Sequence, residues 1–590
     1  MRTVRDAGPY GGPTGEKAPL CKGGSARRAV GDCTGRPGVT IPPSPAVPPP
    51  FTQGRLNFAH PSNTTQKEEL PIEKEKLQYA IDCLRDYKAA KAPLEQRIKN
   101  EELWWQLRHW EAMGEDPKDK PTSAWLFNNI ANKHADAMDH YPEPAVLPRE
   151  PEDQKDADML SRILPVILER SGFEQTYSDA WWYKLKHGTA VYGVFWNSDL
   201  EQGLGDVDVA AIDLLNIFWE PGVRDIQQSR NLFIVHKWDR DVLEKQYPRL
   251  GKGVGDIVDV LTHSRGSSLD KVTVVDWYYK ENGLLHYCKF AGEHVLYASA
   301  DDPAYKDRGW YAHGLYPVVF DTLFPIEGQP VGFGYIAVTR SPQEYIDRLG
   351  RNILESAMMA TRPRYFAGRA CGINEEEFLD WDRPIVHVEG SINEERLRPI
   401  TPYPVGGAYI QIQQMKIDEL KETASNRDFS AGSTRAGVTA ASAIAALQEA
   451  GNKTSRDMIG ASYRAYAAIG SLCLELVRQF YVGTRVFRVT GAEESDFISW
   501  SSHSIRGPRR PVFDIRIRAQ RKDPFARAGQ NELAKELYRL GFFRPGLETQ
   551  ALGALELMDF EGKQNVRAYL NRQLDHANER KENNHEQTDQ

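Results

Sequence analysis

No apolar run long enough to cross a bilayer, about 18 residues, occurs anywhere in this 590-residue chain, so a transmembrane helix is excluded. The N-terminus also lacks the apolar stretch of a secretory signal. Cysteine is scarce. Cys21, Cys33, Cys83, Cys288, Cys371 and Cys473 are scattered without C-x-x-C spacing. That pattern argues for reduced thiols in a cytoplasmic setting, against a disulfide framework and against a zinc site. A basic excess is missing too: 74 Lys and Arg face 82 Asp and Glu, for a net charge of -8. An ordinary DNA-binding domain carries a basic patch. A protein that lets DNA slide past without gripping it does not need one, because phosphate neutralisation is what makes binding tight.

Signatures of catalysis are equally thin. Gly251-Lys252-Gly253-Val254-Gly255 lacks the spacing of a phosphate loop and its following Ser or Thr, and reads as a turn. No Gly-x-Ser-x-Gly elbow surrounds Ser430 or any other serine. His286 and Cys288 alternate along one predicted strand with no second pair of ligands nearby. Asp206 and Asp208 alternate with Val207 and Val209, which fits the polar face of a strand better than a paired-carboxylate site. The expectation is therefore no enzyme, no cofactor and no metal.

What is present is material for large cores: 41% hydrophobic residues and 13 Trp, with 26% charged residues and a mean hydropathy of -0.55. The length implies two to four structural units. Residues 1–56 are rich in Gly and Pro and read as a disordered N-terminal segment. Helical periodicity runs from Glu68 to Met113, from Trp125 to Asp139, and twice within 154–188. After Gly188 the period changes. Thr189–Trp196, Asp206–Ile212, Leu232–Trp238, Lys271–Tyr279, Leu284–Phe290 and Pro317–Phe320 are β-branched or aromatic runs bounded by turn residues. They predict an antiparallel meander beside a helical layer, an α+β fold.

Tyr335–Thr361 and Ala408–Thr423 read as two helices bracketing a proline-punctuated insert, with a strand-like run at Ile385-Val386-His387-Val388. A polar loop from Ser425 to Gly437 follows. It leads into an alanine-rich helical pattern from Val438 to Tyr481, roughly 65 Å if continuous. Gly451-Asn452 and Gly460 predict a bend in it. Arg485–Val489 and Val512–Arg518 read as a final strand pair. Asp523-Pro524 is a helix start, and helical patterns continue to about Leu574.

This order resembles the portal, or head-to-tail connector, proteins of tailed double-stranded DNA bacteriophages, particularly the short-tailed type. The features that carry it are Trp181-Trp182 before Gly188-Thr189-Ala190-Val191-Tyr192-Gly193, then Gly205-Asp206-Val207, then Asp213-Leu214-Leu215-Asn216-Ile217-Phe218-Trp219-Glu220-Pro221. The helix–insert–helix unit, the loop from Arg427-Asp428, Thr439-Ala440-Ala441-Ser442-Ala443-Ile444 and Gln530–Phe543 complete the set, over roughly residues 70–575. The resemblance implies a homomeric ring, usually a dodecamer, at one capsid vertex of the virion, assembled in the host cytoplasm. Double-stranded DNA passes through it independently of sequence. Its implied partners are the terminase large subunit, head-tail adaptor proteins, and capsid and scaffolding proteins, with no membrane. The contrasting reading is a cytoplasmic nucleic-acid-associated scaffold, or an enzyme with an unrecognised site.

Carried onto this chain, the resemblance implies a wing of residues 57–335 and 438–522, the second part holding the long bent helix and strands. Stem helices at 336–363 and 407–425 would bracket a small α/β clip at 364–406. Residues 426–437 would be a tunnel loop, and 523–590 a helical crown with a polar tail. In the loop, Arg427 and Arg435 would touch phosphate, with Asp428 opposing them and Asn426, Ser430, Ser433 and Thr434 making sequence-blind hydrogen bonds. A plainer role is capping of the long helix. On the second stem helix, Lys416, Asp418, Glu419, Lys421 and Glu422 nearly cancel, giving a solvated face or a mixed channel lining. In the clip, Glu375, Glu376, Glu377, Asp380 and Asp382 form an acidic docking surface or a solubility patch.

Overall fold

Two amphipathic patterns separated by a change of period at Gly188 become two kinds of layer. The computed structural model describes residues 74–248, 254, 271–361, 364–367, 372–380, 385–389, 397–400, 406–424, 453–490, 495–506, 510–521, 534–544, 547–556, 566–567 and 569–574. The expectations for 1–56, the polar loop, the alanine-rich half of the long pattern and the Asp523-Pro524 helix start lie outside them.

The chain begins with α1 (Lys74–Trp105) and α2 (Trp125–Met138), joined through a helical turn at His109–Ala112. Strand β1 (His140–Pro148) precedes α3 (Gln154–Arg170) and α4 (Phe173–His187). Helix α4 stops at Gly188, whose φ of +89° lets its N–H reach the Lys184 carbonyl. A Cβ there would lie 2.2 Å from the Phe333 backbone, so both the turn and the close approach require glycine. The chain then enters β2 (Thr189–Asn197), β3 (Asp206–Ile212), β4 (Ile217–Trp219), β5 (Asn231–Asp239), β6 (Lys271–Glu281), β7 (Leu284–Ala291), β8 (His294–Ala298) and β9 (Val318–Thr322).

These strands form two antiparallel sheets. One has the order β3-β2-β9, and the other is the meander β4-β5-β6-β7-β8. The meander is apolar on both faces. Phe233, Val235, Val275, Trp277, Tyr279 and Phe290 pack with Leu77, Ala80, Ile81 and Leu84 of α1. Leu232, Ile234, Tyr278 and Tyr287 join the main core on the other side. Burial on both faces explains why these strands read as nearly continuous apolar runs rather than alternating ones.

Helix α5 (Tyr335–Thr361) leads to β10 (Arg364–Ala367) and β11 (Leu397–Ile400), which pair, and α6 (Gly407–Thr423) returns. Helix α7 (Lys453–Phe480) buries Met458, Ile459, Tyr466, Ile469, Leu472, Leu476 and Val477 in the main core. It runs unbroken across Gly460, where the sequence predicts an interruption. Tertiary packing overrides the weak helix propensity of that one residue.

The last strands differ from the predicted pair. β12 (Arg485–Thr490) pairs with β13 (Ser495–Trp500), and β14 (Phe513–Arg521) pairs with β1. Three prolines hide β1 in the sequence, yet they suit its position. Pro142, Pro144 and Pro148 fall at alternate register positions of an edge strand, so their missing N–H groups take nothing from the ladder with β14. On that outer edge, the Val146 N–H donates to the Ser161 hydroxyl, which donates back to the Val146 carbonyl. Gly470 on α7 lets β14 approach closely: a Cβ there would sit 3.2 Å from Ile515.

Buried ion pairs tie the layers. Lys184 of α4 meets Asp321 of β9 at 2.7 Å and donates to Ser462 of α7. Lys133 of α2 donates to Ser455 of α7, which donates to Asp136. Asp206 is buried and accepts from the hydroxyl of Tyr481, just past the end of α7. Asp208 is partly exposed, and burial raises its carboxyl. Ile385–Val388 forms a single bridge, Ile373 to Val388, rather than a strand.

Candidate functional site

Among the described residues, the hairpin formed by α5, the β10–β11 pair and α6 contributes almost nothing to a core beyond the first half of α5. Helix α5 changes character along its length. Its first half buries Tyr335, Ile336, Thr339, Pro342, Gln343, Ile346 and Asp347, and beyond Asp347 it buries nothing. Helix α6 buries Leu420 near its C-terminus and nothing before it. The two helices pack against one another, with the Lys416 ammonium 5.4 Å from the Tyr345 ring. Tyr345, Leu354, Met358 and Met359 on α5, and Tyr409, Ile410, Ile412 and Met415 on α6, remain exposed.

The hairpin's charged residues do not act alike. Lys416 pairs with Glu419 at 2.6 Å one helical turn away. The Lys421 ammonium lies 5.4 Å from the Trp125 ring of α2, so it faces the body. Glu419 and Glu422 are exposed. In the insert, Glu375, Glu376 and Glu377 occupy the first turn of the short helix Glu375–Leu379. There the unpaired N–H groups of a helix start favour negative charge. The Glu377 carboxylate accepts from the backbone N–H of His387 at 2.8 Å and faces its Nδ1 at 2.9 Å, so it braces the insert internally. Glu375, Glu376 and Asp380 are exposed beside it. Tyr365 and Phe378 meet edge-on at 5.1 Å and supply the insert's small apolar contact. Asp382 lies outside the described residues, as do Asn426, Arg427, Asp428, Ser430, Ser433, Thr434 and Arg435.

The hairpin meets the body at a buried polar cluster that no sequence pattern singles out. One oxygen of Asp347 accepts from the backbone N–H and hydroxyl of Ser123 at 2.9 and 2.7 Å and from Gln343 at 3.1 Å. The other oxygen faces Nδ1 of His109 at 2.6 Å. Gln343 also accepts from the Leu126 N–H and donates to the Ser123 carbonyl. A helical spacing of four between Gln343 and Asp347 was the one signal available; the partners come from distant segments.

The sequence's weaker enzymatic candidates stay apart. His286 stacks on Tyr279 at 5.3 Å, and burial lowers its pKa. The Cys288 thiol is buried among Trp277 and Phe290, and burial pushes its pKa up, which makes it inert. Among the described residues no three His, Cys, Asp or Glu side chains gather to hold a metal ion. Val254, the described residue of the glycine-rich turn, is buried against Leu243 and Val272. No described helix is long and apolar enough to cross a membrane.

With this geometry in place, the sequence profile described as Phage P22-like portal protein matches residues 135–287 and 283–590. No curated protein matches the chain.

Proposed function

The chain belongs to the phage P22-like portal protein family and forms the DNA-packaging channel at a capsid vertex, and we propose that it does so as a closed ring whose channel wall is built by the α5–α6 hairpin. The observation that carries this reading is the hairpin itself. Among its described residues none between Asp347 on α5 and Leu420 on α6 is buried, while large apolar side chains stay exposed on both helices. Such a surface suits burial against neighbouring copies, and a ring of copies closes it.

On this reading, 336–363 and 407–425 are the stem, 364–406 the clip, 57–335 and 438–522 the wing, 426–437 the tunnel loop and 523–590 the crown. The clip's exposed Glu375, Glu376 and Asp380, with Asp382, receive basic segments of the terminase large subunit and later of the head-tail adaptors. Along the stem, Glu419 and Glu422 with the neutralised Lys416 present a mixed lining that repels phosphate weakly, so DNA slides rather than sticks. Lys421 anchors the stem to the wing. In the tunnel loop Arg427 and Arg435 touch DNA phosphate, Asp428 opposes them, and Asn426, Ser430, Ser433 and Thr434 make sequence-blind hydrogen bonds. The protein is a structural channel without catalysis of its own, assembled in the host cytoplasm with scaffolding and capsid proteins before residing in the virion.

Native mass spectrometry with negative-stain class averages tests the ring. Closed rings of about twelve subunits, with a hole wide enough for duplex DNA, are expected. A monomer or dimer that persists at high concentration would overturn the reading.

A further inference from the structure

We propose that Asp347, Gln343, His109 and Ser123 form the joint that sets the angle of the α5–α6 hairpin against the body, and that Asp347 and Gln343 are positioning residues for the channel wall. The inference rests on the hairpin being that wall.

Three observations converge. The cluster sits where α5 leaves the body: Ile346 and Asp347 are its last buried residues, and none follow. Asp347 is grasped from two directions, by His109 after α1 and by Ser123 just before α2. Every described polar atom of the carboxylate and of the Gln343 amide has a partner, and His109 Nε2 faces the Trp104 carbonyl at 3.0 Å. A fully satisfied buried network holds one geometry, because any shift strands a polar group away from water.

The body segment between His109 and Ser123 also wraps the outside of the same helix. Glu115 faces Arg348 at 3.1 Å and Arg351 at 3.6 Å, and pairs with Lys120 at 2.9 Å. The Trp110 indole N–H donates to the Pro121 carbonyl, and the Arg351 guanidinium lies 5.8 Å from the Trp110 ring. These outer ion pairs are partly exposed and weak in water. The buried carboxylate is therefore the element that fixes direction, and the outer pairs guide the helix without locking it.

Small changes at the joint are magnified. The free part of α5 runs roughly 20 Å beyond Asp347, so a tilt of about 5° moves its tip by about 2 Å. Pro342 sharpens the location, since it removes the backbone bond to the Val338 carbonyl just before the joint and leaves the helix less stiff there. The joint thus links channel bore to the position of α1 and α2 in the body.

The test is electron cryo-microscopy of purified full-length rings, with the melting temperature measured beside it. Asp347→Asn keeps the shape. Its amide can donate to His109 Nδ1 while the ring's Nε2–H donates to Trp104, so the stem angle should match the unaltered protein. Asp347→Ala empties the joint, and the stem should tilt or blur while the body stays superimposable. Gln343→Ala, which leaves the carboxylate in place, should shift the stem in the same direction by less, and it carries the test if Asp347→Ala does not assemble. A stem that stays put in these alanine variants while the melting temperature falls would overturn the proposal, leaving the cluster a purely structural one. Absence of rings in the unaltered protein would instead overturn the channel reading.

Discussion

The body and the hairpin are built on opposite principles. In the body, apolar and even charged groups are buried with partners: Trp181 is 1% exposed, and Lys184 meets Asp321 with both side chains nearly fully buried. In the hairpin, Met359 is 60% and Ile410 57% exposed, and the ion pair Lys416–Glu419 lies at the surface. The body satisfies itself, so its fold can be argued from one chain. The described residues of the hairpin have helical propensity and mutual packing but no core, and on the ring reading what they lack comes from other copies. On that reading a single sequence encodes both a folded unit and a surface that is finished on assembly.

The sharpest way to break this contrast is to empty the body's core. Trp181→Ala removes an indole packed near Tyr177, takes away the N–H that donates to the Tyr466 hydroxyl at 2.8 Å, and strips the ring lying 4.6 Å from the Lys184 ammonium. A loss of about 3–5 kcal/mol is expected, read as a lower denaturant midpoint. Both sheets should melt with it, because Trp181 sits in the cluster that also holds Tyr192 of one sheet and Leu232, Ile234 and Tyr278 of the other.

The same division explains what could be read from the sequence. Helices α3, α4, α5 and α6 and strands β2, β3, β5, β6, β7 and β9 fall within a few residues of their predicted bounds, since each is set by local periodicity and a clear stop such as Gly188. Strand β1 escaped because three prolines argue against a strand, and only its place at an edge with Ser161 beside it makes them acceptable. The partner of β14 differs from the predicted one for a related reason. Strand pairing across 365 residues, as in the Arg149–Asp514 ion pair beside that ribbon, leaves no local trace. The hairpin was visible as helix–insert–helix, yet its joint was not. His109, Ser123 and Asp347 are unremarkable letters until folding brings them within 3 Å.

Acid offers a gentler way to separate the two regions. Burial alone would raise the Asp276 carboxyl, but the Lys289 charge, with the His236 ring 3.1 Å away and a hydrogen bond from the Tyr287 hydroxyl, holds it from an ordinary 3.8 down to about 2. The folded state therefore binds that proton more weakly than the unfolded chain. Its stabilising contribution is complete above about pH 4 and is lost as the pH falls through about 2. Glu102, held well below the carboxylate range despite its burial by a hydrogen bond from His187 and the Lys186 charge, acts in the same direction. Asp276→Asn should cost about 2 kcal/mol at neutral pH, and the gap from the unaltered protein should shrink as the pH approaches 2. Urea midpoints across that range check it. A gap independent of pH would mean that Asp276 acts through shape, not charge.

The smallest effect on stability should come from the hairpin, and there the contrast is most exacting. Met358→Ser trades a half-exposed thioether for a hydroxyl at a position that touches no core. Surface changes of this kind usually stay within about 0.5 kcal/mol, so the body's unfolding midpoint should barely move. In a ring the same side chain is repeated around the channel, and each copy loses apolar contact with its neighbour, so the cost multiplies with subunit number. Ring population at a fixed concentration should fall, and a second change on the facing helix, Met415→Ser, should lower it further. Analytical ultracentrifugation reads the assembly while thermal melting reads the fold. If both quantities fall together, the hairpin contributes to the monomer after all, and the division between a self-sufficient body and an unfinished hairpin fails. If only assembly falls, the exposed methionines belong to the neighbour's surface as much as to their own.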